Sequence, residues 1–447
     1  MLSPSFRINP FLLVVLAFVL VMLVGGFLLS LPFASQAAQK TAFIDALFTA
    51  ASALFVTGLA VVETGTHWSF AGQLMILFLI QVGALGIVTI GGYLIHLFGQ
   101  RLYFADRKLL SDDLGADNKG EVIKILKNVI YYVLLIELIG ASLLTLAFWR
   151  HGFDFSQSLW WGFFHAISAF ANAGFDIFGK ADSAKSLLDV QLALEIIMTL
   201  IFLGGLGFPV WLDLLAKIKN GQNYALSLHS RIVLVMSFSL ISLGTLAFWF
   251  FDRETRLLTV NGSQHLRESL FHSISARTAG FAVFDLSTMS KPSLTVLMGL
   301  MFVGGGPAST AGGIKVTVAA LLFLMLAGVI KGELSLNIMK RRIGSSMVIR
   351  SMSMASISFL LIILAVLLIE FIDNPPFLAV LFEAVSAMGT VGLSLGLTPF
   401  LSDLSKIALI AIMFMGRIGL YALLYGLIFY SKRHKIIKKY PKAEICL

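Results

Sequence analysis

Long apolar stretches separated by short polar ones run through the whole chain. Residues 8–39 carry no charged side chain, and residues 69–100 contain no Asp, Glu, Lys or Arg. Both stretches exceed the roughly 20 apolar residues that cross a lipid bilayer. The first is too long, and too closely followed by further apolar stretches, for a cleaved signal peptide. It is therefore predicted to be the first spanning helix.

The apolar stretches recur in sets of three, in the order long, short, long. The short members cannot cross a bilayer, and they fit half-helices that enter the membrane buried in protein or beside water. The predicted fold is an all-α integral membrane protein with eight spanning helices and four half-helices. The predicted elements are 11–32, 43–54 and 72–99 in set 1; 126–149, 158–170 and 188–216 in set 2; 229–251, 267–277 and 293–330 in set 3; and 348–371, 377–388 and 405–430 in set 4.

Each short stretch carries one motif, Phe-x-(Ala/Ser)-x-Ser-Ala, followed after three or four residues by glycine. The four glycines are Gly58, Gly174, Gly280 and Gly392, at intervals of 116, 106 and 112 residues. A chain that repeats itself four times can surround a central axis with four similar walls, and glycine lets each backbone approach that axis closely. Four repeats around one pore are predicted, with boundaries at 1–100, 101–221, 222–333 and 334–447.

The residues before the four glycines offer oxygen atoms and no charge. Rings of backbone carbonyls replace the hydration shell of a weakly hydrated monovalent cation, whereas a calcium site needs several carboxylates. The half-helices also direct their partly negative C-terminal ends inward, which favours a cation. The predicted filter segments are Val56, Thr57 and Gly58; Asn172, Ala173 and Gly174; Thr278, Ala279 and Gly280; and Thr390, Val391 and Gly392.

A glycine-rich loop, residues 304–313, interrupts the second long stretch of set 3. Five glycines and a proline in ten residues do not form a stable helix, and the spacing of a phosphate-binding loop is absent. Exposed backbone at membrane depth must line a cavity, so the loop is a candidate gate, with a static helix kink as the alternative. The candidate gate residues are Gly304, Gly305, Gly306, Pro307, Ala308, Ser309, Thr310, Ala311, Gly312, Gly313, Lys315 and Arg417.

Two arginines at membrane depth need partners, because a charge there is costly. For Arg417 three roles stay open: it holds the glycine-rich loop, it stands in the pore as an electrostatic barrier, or it forms a salt bridge with Glu137 or Glu195. Arg277, three residues before Gly280, is expected to pair with Glu383 of the neighbouring half-helix.

Composition and charge agree with a membrane protein. Charged residues make up 13% of the chain, against about 25% in soluble domains. Of the 33 Lys and Arg, 21 lie in the segments on one predicted side, which places both termini in the cytoplasm. The net charge of +9 is thus explained without nucleic acid. One cysteine, Cys446, excludes an internal disulfide or cysteine metal site, and enzyme motifs such as HExxH and GxSxG are absent.

With four such repeats, one glycine per filter segment, the glycine-rich loop in set 3 and Arg417 in set 4, the chain resembles the Trk/Ktr/HKT superfamily of potassium transporters, most closely the Ktr membrane subunits. The resemblance implies potassium uptake across a bacterial cytoplasmic membrane, with Na⁺ as activator, by a homodimer. It also implies a cytoplasmic ring of nucleotide-binding RCK subunits. The chain itself is then expected to hold no cofactor, with K⁺ bound only at the filter and nucleotide only on the partner.

The residues alone leave two alternative functions open. A less selective Na⁺/K⁺ pathway of the same fold would differ only in the detail of the filter. A secondary transporter of small organic solutes would be expected to have inverted repeats and a pocket at the midplane, whereas the four repeats here run in the same direction.

Overall fold

The computed structural model describes residues 10–86, 122–178, 190–221, 224–256, 260–332, 337–339 and 341–418. The described chain is almost entirely helical, apart from a small antiparallel hairpin of Asn337–Ile338 (β1) and Arg341–Arg342 (β2). The α-helices are α1 Pro10–Leu29, α2 Phe43–Leu54, α3 Thr64–His67, α4 Phe70–Leu85, α5 Val122–Arg150, α6 Phe155–Ala171, α7 Gln191–Leu206, α8 Phe208–Asn220, α9 Leu228–Phe251, α10 Arg253–Arg256, α11 Gly262–Ser275, α12 Lys291–Phe302, α13 Val316–Ile330, α14 Ser345–Asp373, α15 Phe377–Gly389 and α16 Asp403–Ile418. Short 3₁₀ turns occupy Pro32–Ala34, Leu286–Thr288 and Thr398–Phe400.

The four short helices α2, α6, α11 and α15 form the inner layer. The phenylalanine that opens the motif on each of them is fully buried: Phe48, Phe164, Phe271 and Phe382. The short helices are enclosed by the helices of their own set, as α2 is by α1 and α4, and α15 by α14 and α16. Burial of these aromatic side chains fixes the short helices against their neighbours, since each buries about 150–250 Å².

Contacts between sets run in one direction and close on themselves. The second long helix of each set packs against the short helix of the next: α4 on α6, α7 on α11, α12 on α15, and finally α16 on α2. The last contact joins the end of the described chain to its beginning. The four sets therefore form a closed ring of helices.

The outer surface of the ring is apolar, as expected for a protein surrounded by lipid. Leu360, Leu367 and Phe371, all on α14, are more than half exposed. Within the described ranges, three helices are long and apolar enough to cross a membrane: α5 from Lys127, α9 and α14. The pair α7 and α8 would be a fourth if it is counted as one span.

Two of the long stretches are not single helices. The stretch expected over 188–216 bends by 101° between α7 and α8, at Gly207. This break was not expected from the sequence, which placed a break in set 3 only. The stretch over 293–330 forms α12 and α13, with residues 303–315 outside any helix. The expected continuations over 87–99 and 419–430 lie outside the described residues.

Candidate functional site

The four filter segments meet at the centre of the ring, and their glycines are neighbours. A Cβ built on Gly58 would lie 3.0 Å from Cα of Gly174, and one on Gly174 would lie 2.9 Å from Cα of Gly280. A Cβ on Gly280 would lie 3.2 Å from Cα of Gly392, and one on Gly392 would lie 2.9 Å from Cα of Gly58. The order 58, 174, 280, 392 is thus a closed cycle with no room for a side chain.

Each glycine also abuts the carbonyl oxygen that precedes the next glycine in the cycle. A Cβ on Gly58 would lie 2.5 Å from the carbonyl oxygen of Ala173, and one on Gly174 would lie 2.7 Å from that of Ala279. In the same way, a Cβ on Gly280 would clash with the carbonyl oxygen of Val391, and one on Gly392 would clash with that of Thr57. Carbonyl oxygens from all four segments therefore come together where the glycines meet. Such a group of oxygens suits a dehydrated monovalent cation.

Backbone geometry repeats in the four segments. The residue two positions before each glycine is left-handed: Val56, Asn172, Thr278 and Thr390 have φ between 48° and 70°. The glycines themselves have φ of 93°, 68°, 76° and 94°. In sets 2 and 4 the left-handed residue caps the short helix directly, and in sets 1 and 3 it follows the helix end by two or three residues. Glycine tolerates the positive φ at the point of closest approach.

The motif serine holds each segment in place, a role that the sequence pattern contained but that we did not assign. In sets 1 and 4 the backbone N–H of the glycine donates to the serine hydroxyl, 3.0 Å from Gly58 to Ser52 and 3.0 Å from Gly392 to Ser386. In sets 2 and 3 the serine hydroxyl donates instead to the carbonyl that follows the glycine. These bonds join Ser168 to Phe175 at 2.7 Å and Ser275 to Phe281 at 2.5 Å. The recurrence of serine four residues after phenylalanine was the signal for this role.

Three buried hydroxyls lie in the filter segments without a hydrogen-bond partner among the described residues. They are the Oγ1 atoms of Thr57, Thr278 and Thr390, on side chains that are 0% exposed. A buried hydroxyl is normally paired. These three oxygens are therefore buried acceptors without a partner in the predicted filter segments.

The second long helices approach the short helices through glycine. A Cβ on Gly83 would clash with the carbonyl of Leu54, one on Gly204 with that of Phe170, and one on Gly416 with that of Met388. These carbonyls belong to the last residues of short helices or lie one residue from their ends. Close backbone approach here explains why the second helices carry glycine at this level.

The glycine-rich loop docks onto the break between α7 and α8. The N–H of Gly306 donates to the carbonyl of Gly205 at 2.8 Å, and the N–H of Phe208 donates to the carbonyl of Ala308 at 2.9 Å. On the loop's other side, the N–H of Gly313 donates to the carbonyl of Gly416 at 3.3 Å. The bend between α7 and α8 leaves backbone N–H and C=O groups without a partner in the helix, and the loop forms hydrogen bonds with them. The helix break in set 2 and the helix break in set 3 therefore satisfy each other's backbone groups.

Arg417 reaches the loop. Its Nη1 donates to the carbonyl of Thr310, and its Nη2 donates to the carbonyl of Gly83 at 2.5 Å. No salt bridge joins it to either proposed acid within the described residues: Glu137 accepts from Gln81 at 3.0 Å, and Glu195 accepts from Gln191 at 3.4 Å. Among the three roles left open, the contact to the loop is the one that this geometry fits. Lys315 donates from Nζ to the carbonyl of Ala311 at 2.7 Å, within the same segment.

The expected pairing of Arg277 with Glu383 is wrong. Arg277 donates from Nη2 to the hydroxyl of Ser237 on α9 at 3.0 Å. Glu383 is occupied elsewhere, because it accepts from the hydroxyl of Thr398 at 2.9 Å and the N–H of Leu395 at 3.2 Å, and from Ser394 as well. Arg277 therefore anchors the third segment to its own long helix, while Glu383 pins the chain that follows Gly392.

Comparison with known proteins finds a matching family and similar proteins over nearly the whole chain. The sequence pattern of the TrkH family, described as cation transport protein, matches residues 8–433. The chain is 34% identical to the potassium/sodium uptake protein NtpJ of Enterococcus hirae, over 99% of this chain and 98% of that protein. It is also 34% identical to the Ktr system potassium uptake protein B of Vibrio alginolyticus, over 97% of this chain and 94% of that protein.

The fold has a solved counterpart. The crystal structure of the potassium transporter TrkH from Vibrio parahaemolyticus superposes with a TM-score of 0.74 at 20% identity. The match covers 95% of this chain and 86% of that one. At 20% identity, this structural similarity shows that the two chains share a fold.

Proposed function

Because the chain belongs to the TrkH family of cation transport proteins, a family of transporters and not of enzymes, we propose that it is the pore-forming subunit of a potassium uptake system. In this proposal the four sets are four repeats of spanning helix, half-helix and spanning helix, eight spans in all, around one pore. The filter segments select K⁺ by their backbone carbonyls.

One observation carries the proposal: the closed cycle of four glycines, each against the carbonyl that precedes the next. A ring of neutral oxygens with no charged side chain fits a weakly hydrated monovalent cation better than a divalent one. The relatives named for potassium uptake, at 34% identity over nearly the whole chain, support K⁺ as the ion.

The glycine-rich loop is the gate of this proposal. It lies between α12 and α13, it is bonded to the break at Gly207, and Arg417 holds the carbonyl of Thr310. The loop has only small side chains, and backbone hydrogen bonds hold it in place. In this proposal it moves as a unit when those hydrogen bonds break. In the closed state it obstructs the pore, and Arg417 stabilises that state.

The assembly follows from the Ktr likeness and the charge distribution. We place the protein in a bacterial cytoplasmic membrane as a homodimer with both termini inside. A ring of nucleotide-binding RCK subunits binds its cytoplasmic face. The name of the Enterococcus hirae relative includes sodium, in line with Na⁺ as activator of K⁺ uptake; a pathway that carries both ions is the second candidate.

Growth and flux test the proposal. The full chain is expressed in cells that lack their own potassium uptake, and growth is followed as external K⁺ is lowered, with and without Na⁺. Growth at low K⁺ that depends on the chain is expected, with faster uptake when Na⁺ is present. Competition between K⁺ and Na⁺ flux separates the two candidates. A chain present in the membrane at normal level that supports no cation uptake would contradict both.

A further inference from the structure

Thr310 connects the glycine-rich loop to the second filter segment. Its side chain is buried, and its hydroxyl donates to the carbonyl of Phe170 at 3.0 Å. The same hydroxyl lies 3.3 Å from the side-chain amide of Asn172. Phe170 belongs to the last turn of α6, and Asn172 is the left-handed residue that begins the filter segment. One loop side chain therefore contacts both the end of the half-helix and the filter.

The amide of Asn172 is held by three neighbours at once. In the orientation that satisfies all of them, its nitrogen donates to the carbonyls of Ala169 and Ile201 at 3.2 Å each, and its oxygen faces the hydroxyl of Thr310. These neighbours belong to α6, α7 and the glycine-rich loop. The conformation of the filter segment is thus set partly by the position of the loop.

This connection is particular to the second segment. Val56, Thr278 and Thr390 stand at the position of Asn172 in the other segments. In the described structure, the hydroxyls of Thr278 and Thr390 have no hydrogen-bond partner. The loop touches Thr390 only by packing, since a Cβ on Gly312 would clash with its side chain.

Loop movement would break the connection. The amide oxygen of Asn172 and the carbonyl of Phe170 share the single hydroxyl proton of Thr310, so if Thr310 left its place this buried donor would be lost to both, which is unfavourable. The segment would then relax beside the carbonyl of Ala173, one of the four that meet in the ring. Two sites that share such an element influence each other reciprocally.

We propose that the contact of Thr310 with Asn172 and Phe170 couples the loop to the filter, so that the ion bound in the filter sets how readily the loop opens. By the same coupling, the position of the loop sets the ion preference of the filter. The inference rests on the proposed function, and it makes Thr310 a positioning residue that acts through Asn172.

The central test replaces Thr310 by Val, which keeps the shape and removes the hydroxyl. Potassium uptake by the full chain is measured with increasing Na⁺, which gives the half-saturating K⁺ concentration and the ratio of K⁺ to Na⁺ affinity. Thr310→Val is expected to change that ratio about fivefold, the size of one lost hydrogen bond. Thr310→Ser, which keeps the hydroxyl, is expected to restore it.

Ser309 provides the matched control. It is the neighbour of Thr310 on the loop, and its hydroxyl has no hydrogen-bond partner within the described part of the chain. Ser309→Ala removes a loop hydroxyl that makes no hydrogen bond to the described filter segments. It is expected to leave the K⁺ to Na⁺ ratio unchanged, because the contact of Thr310 with Asn172 and Phe170 remains.

A second variant tests the same contact from the filter side. Asn172→Gly accepts the left-handed backbone but removes the amide. It is expected to shift the ion ratio by itself, and adding Thr310→Val should then produce little further change, because the two residues act through one contact. This variant also decides the question if Thr310→Val does not reach the membrane.

The outcomes separate the inference from the function on which it rests. If Thr310→Val alters the maximal rate alone, as a loosened gate does, the coupling is wrong and the gate stands. If Thr310→Val and Asn172→Gly shift the ratio additively, the contact does not connect them and the coupling is also wrong. If the unmodified chain takes up no K⁺, the proposed function itself fails.

Discussion

Lys406 on α16 donates from Nζ to Oδ1 of Asp45 on α2 at 2.7 Å, across 361 positions of sequence. Both side chains are largely shielded, 8% and 22% exposed. The pair lies where the fourth set meets the first, so it joins the two ends of the ring. The contact of α16 with α2 completes the enclosure of the filter segments.

Removing one partner of this pair should therefore loosen the ring. Lys406→Met is expected to lower the free energy of unfolding in detergent by about 1–3 kcal/mol, because it leaves a shielded carboxylate unpaired. Thermal unfolding of the purified protein measures the loss. The double variant with Asp45→Asn should recover much of it. Lys291→Met, at an exposed lysine on α12, is the control and should have little effect.

The filter glycines should tolerate no side chain. Gly58→Ser and Gly392→Ser place a Cβ against the next segment at positive φ. Strain of this kind costs about 1–3 kcal/mol, so we expect discrimination of K⁺ over Na⁺ to fall about tenfold in competition assays. Gly396 is the control, because its φ is 83° but an added Cβ would meet nothing within 4 Å. Wild-type ion preference in both filter variants would contradict the assignment of the filter.

Arg417 should act on the rate. Arg417→Ala removes the donors to the carbonyls of Thr310 and Gly83. Hydrogen bonds from charged groups contribute about 1.5–3 kcal/mol, so the loop should open more readily and the maximal uptake rate should rise. If the loop acts only as a gate, the half-saturating K⁺ concentration should stay nearly constant; if it is also coupled to the filter through Thr310, that concentration should change together with the rate. Uptake equal to or below that of the unmodified chain, at matched membrane level, would leave the loop as a structural break.

Arg277 and Glu383 should behave as independent residues. They do not contact each other through a salt bridge among the described residues, and each has other partners. The effects of Arg277→Met and Glu383→Gln on thermal stability are therefore expected to add within about 0.5 kcal/mol. A coupling energy well above that value would restore the pairing expected from the sequence.

The cytoplasmic face should bind the regulatory ring. The segments predicted to face the cytoplasm include 100–127, 217–231, 331–350 and 432–447. Their described parts expose several basic side chains, among them Lys219, Arg341 and Arg342. Purification under gentle detergent is expected to recover a soluble nucleotide-binding subunit, and reversing these three charges to Glu should weaken that recovery. Reversal of Lys291, on the opposite face in our proposal, is the control. Recovery of the bare membrane protein alone, at several salt strengths, would contradict the partner proposal.

Several features could be predicted from the sequence because their signals are local. The short helix expected over 43–54 is Phe43–Leu54, and residues 303–315 leave the helix where glycine and proline accumulate. Hydrophobic length, helix propensity and the recurring motif act through neighbouring residues. The same motif marked the four glycines that meet in the structure, although it gave no order of contact among them.

The partners of buried polar groups could not be predicted in this way. Arg277 forms its hydrogen bond with Ser237 and not with Glu383. The bend at Gly207 is matched by the glycine-rich loop, residues 304–313, which lies far along the chain. The contact of Thr310 with Asn172 spans 138 positions. A buried donor or acceptor needs some partner, but which one is available depends on how the helices pack. The sequence by itself determined which stretches are apolar enough for a membrane and that residues 303–315 leave the helix. The tertiary structure decided where α7 bends and which buried groups meet, because hydrogen bonding selects among neighbours that only packing brings within reach.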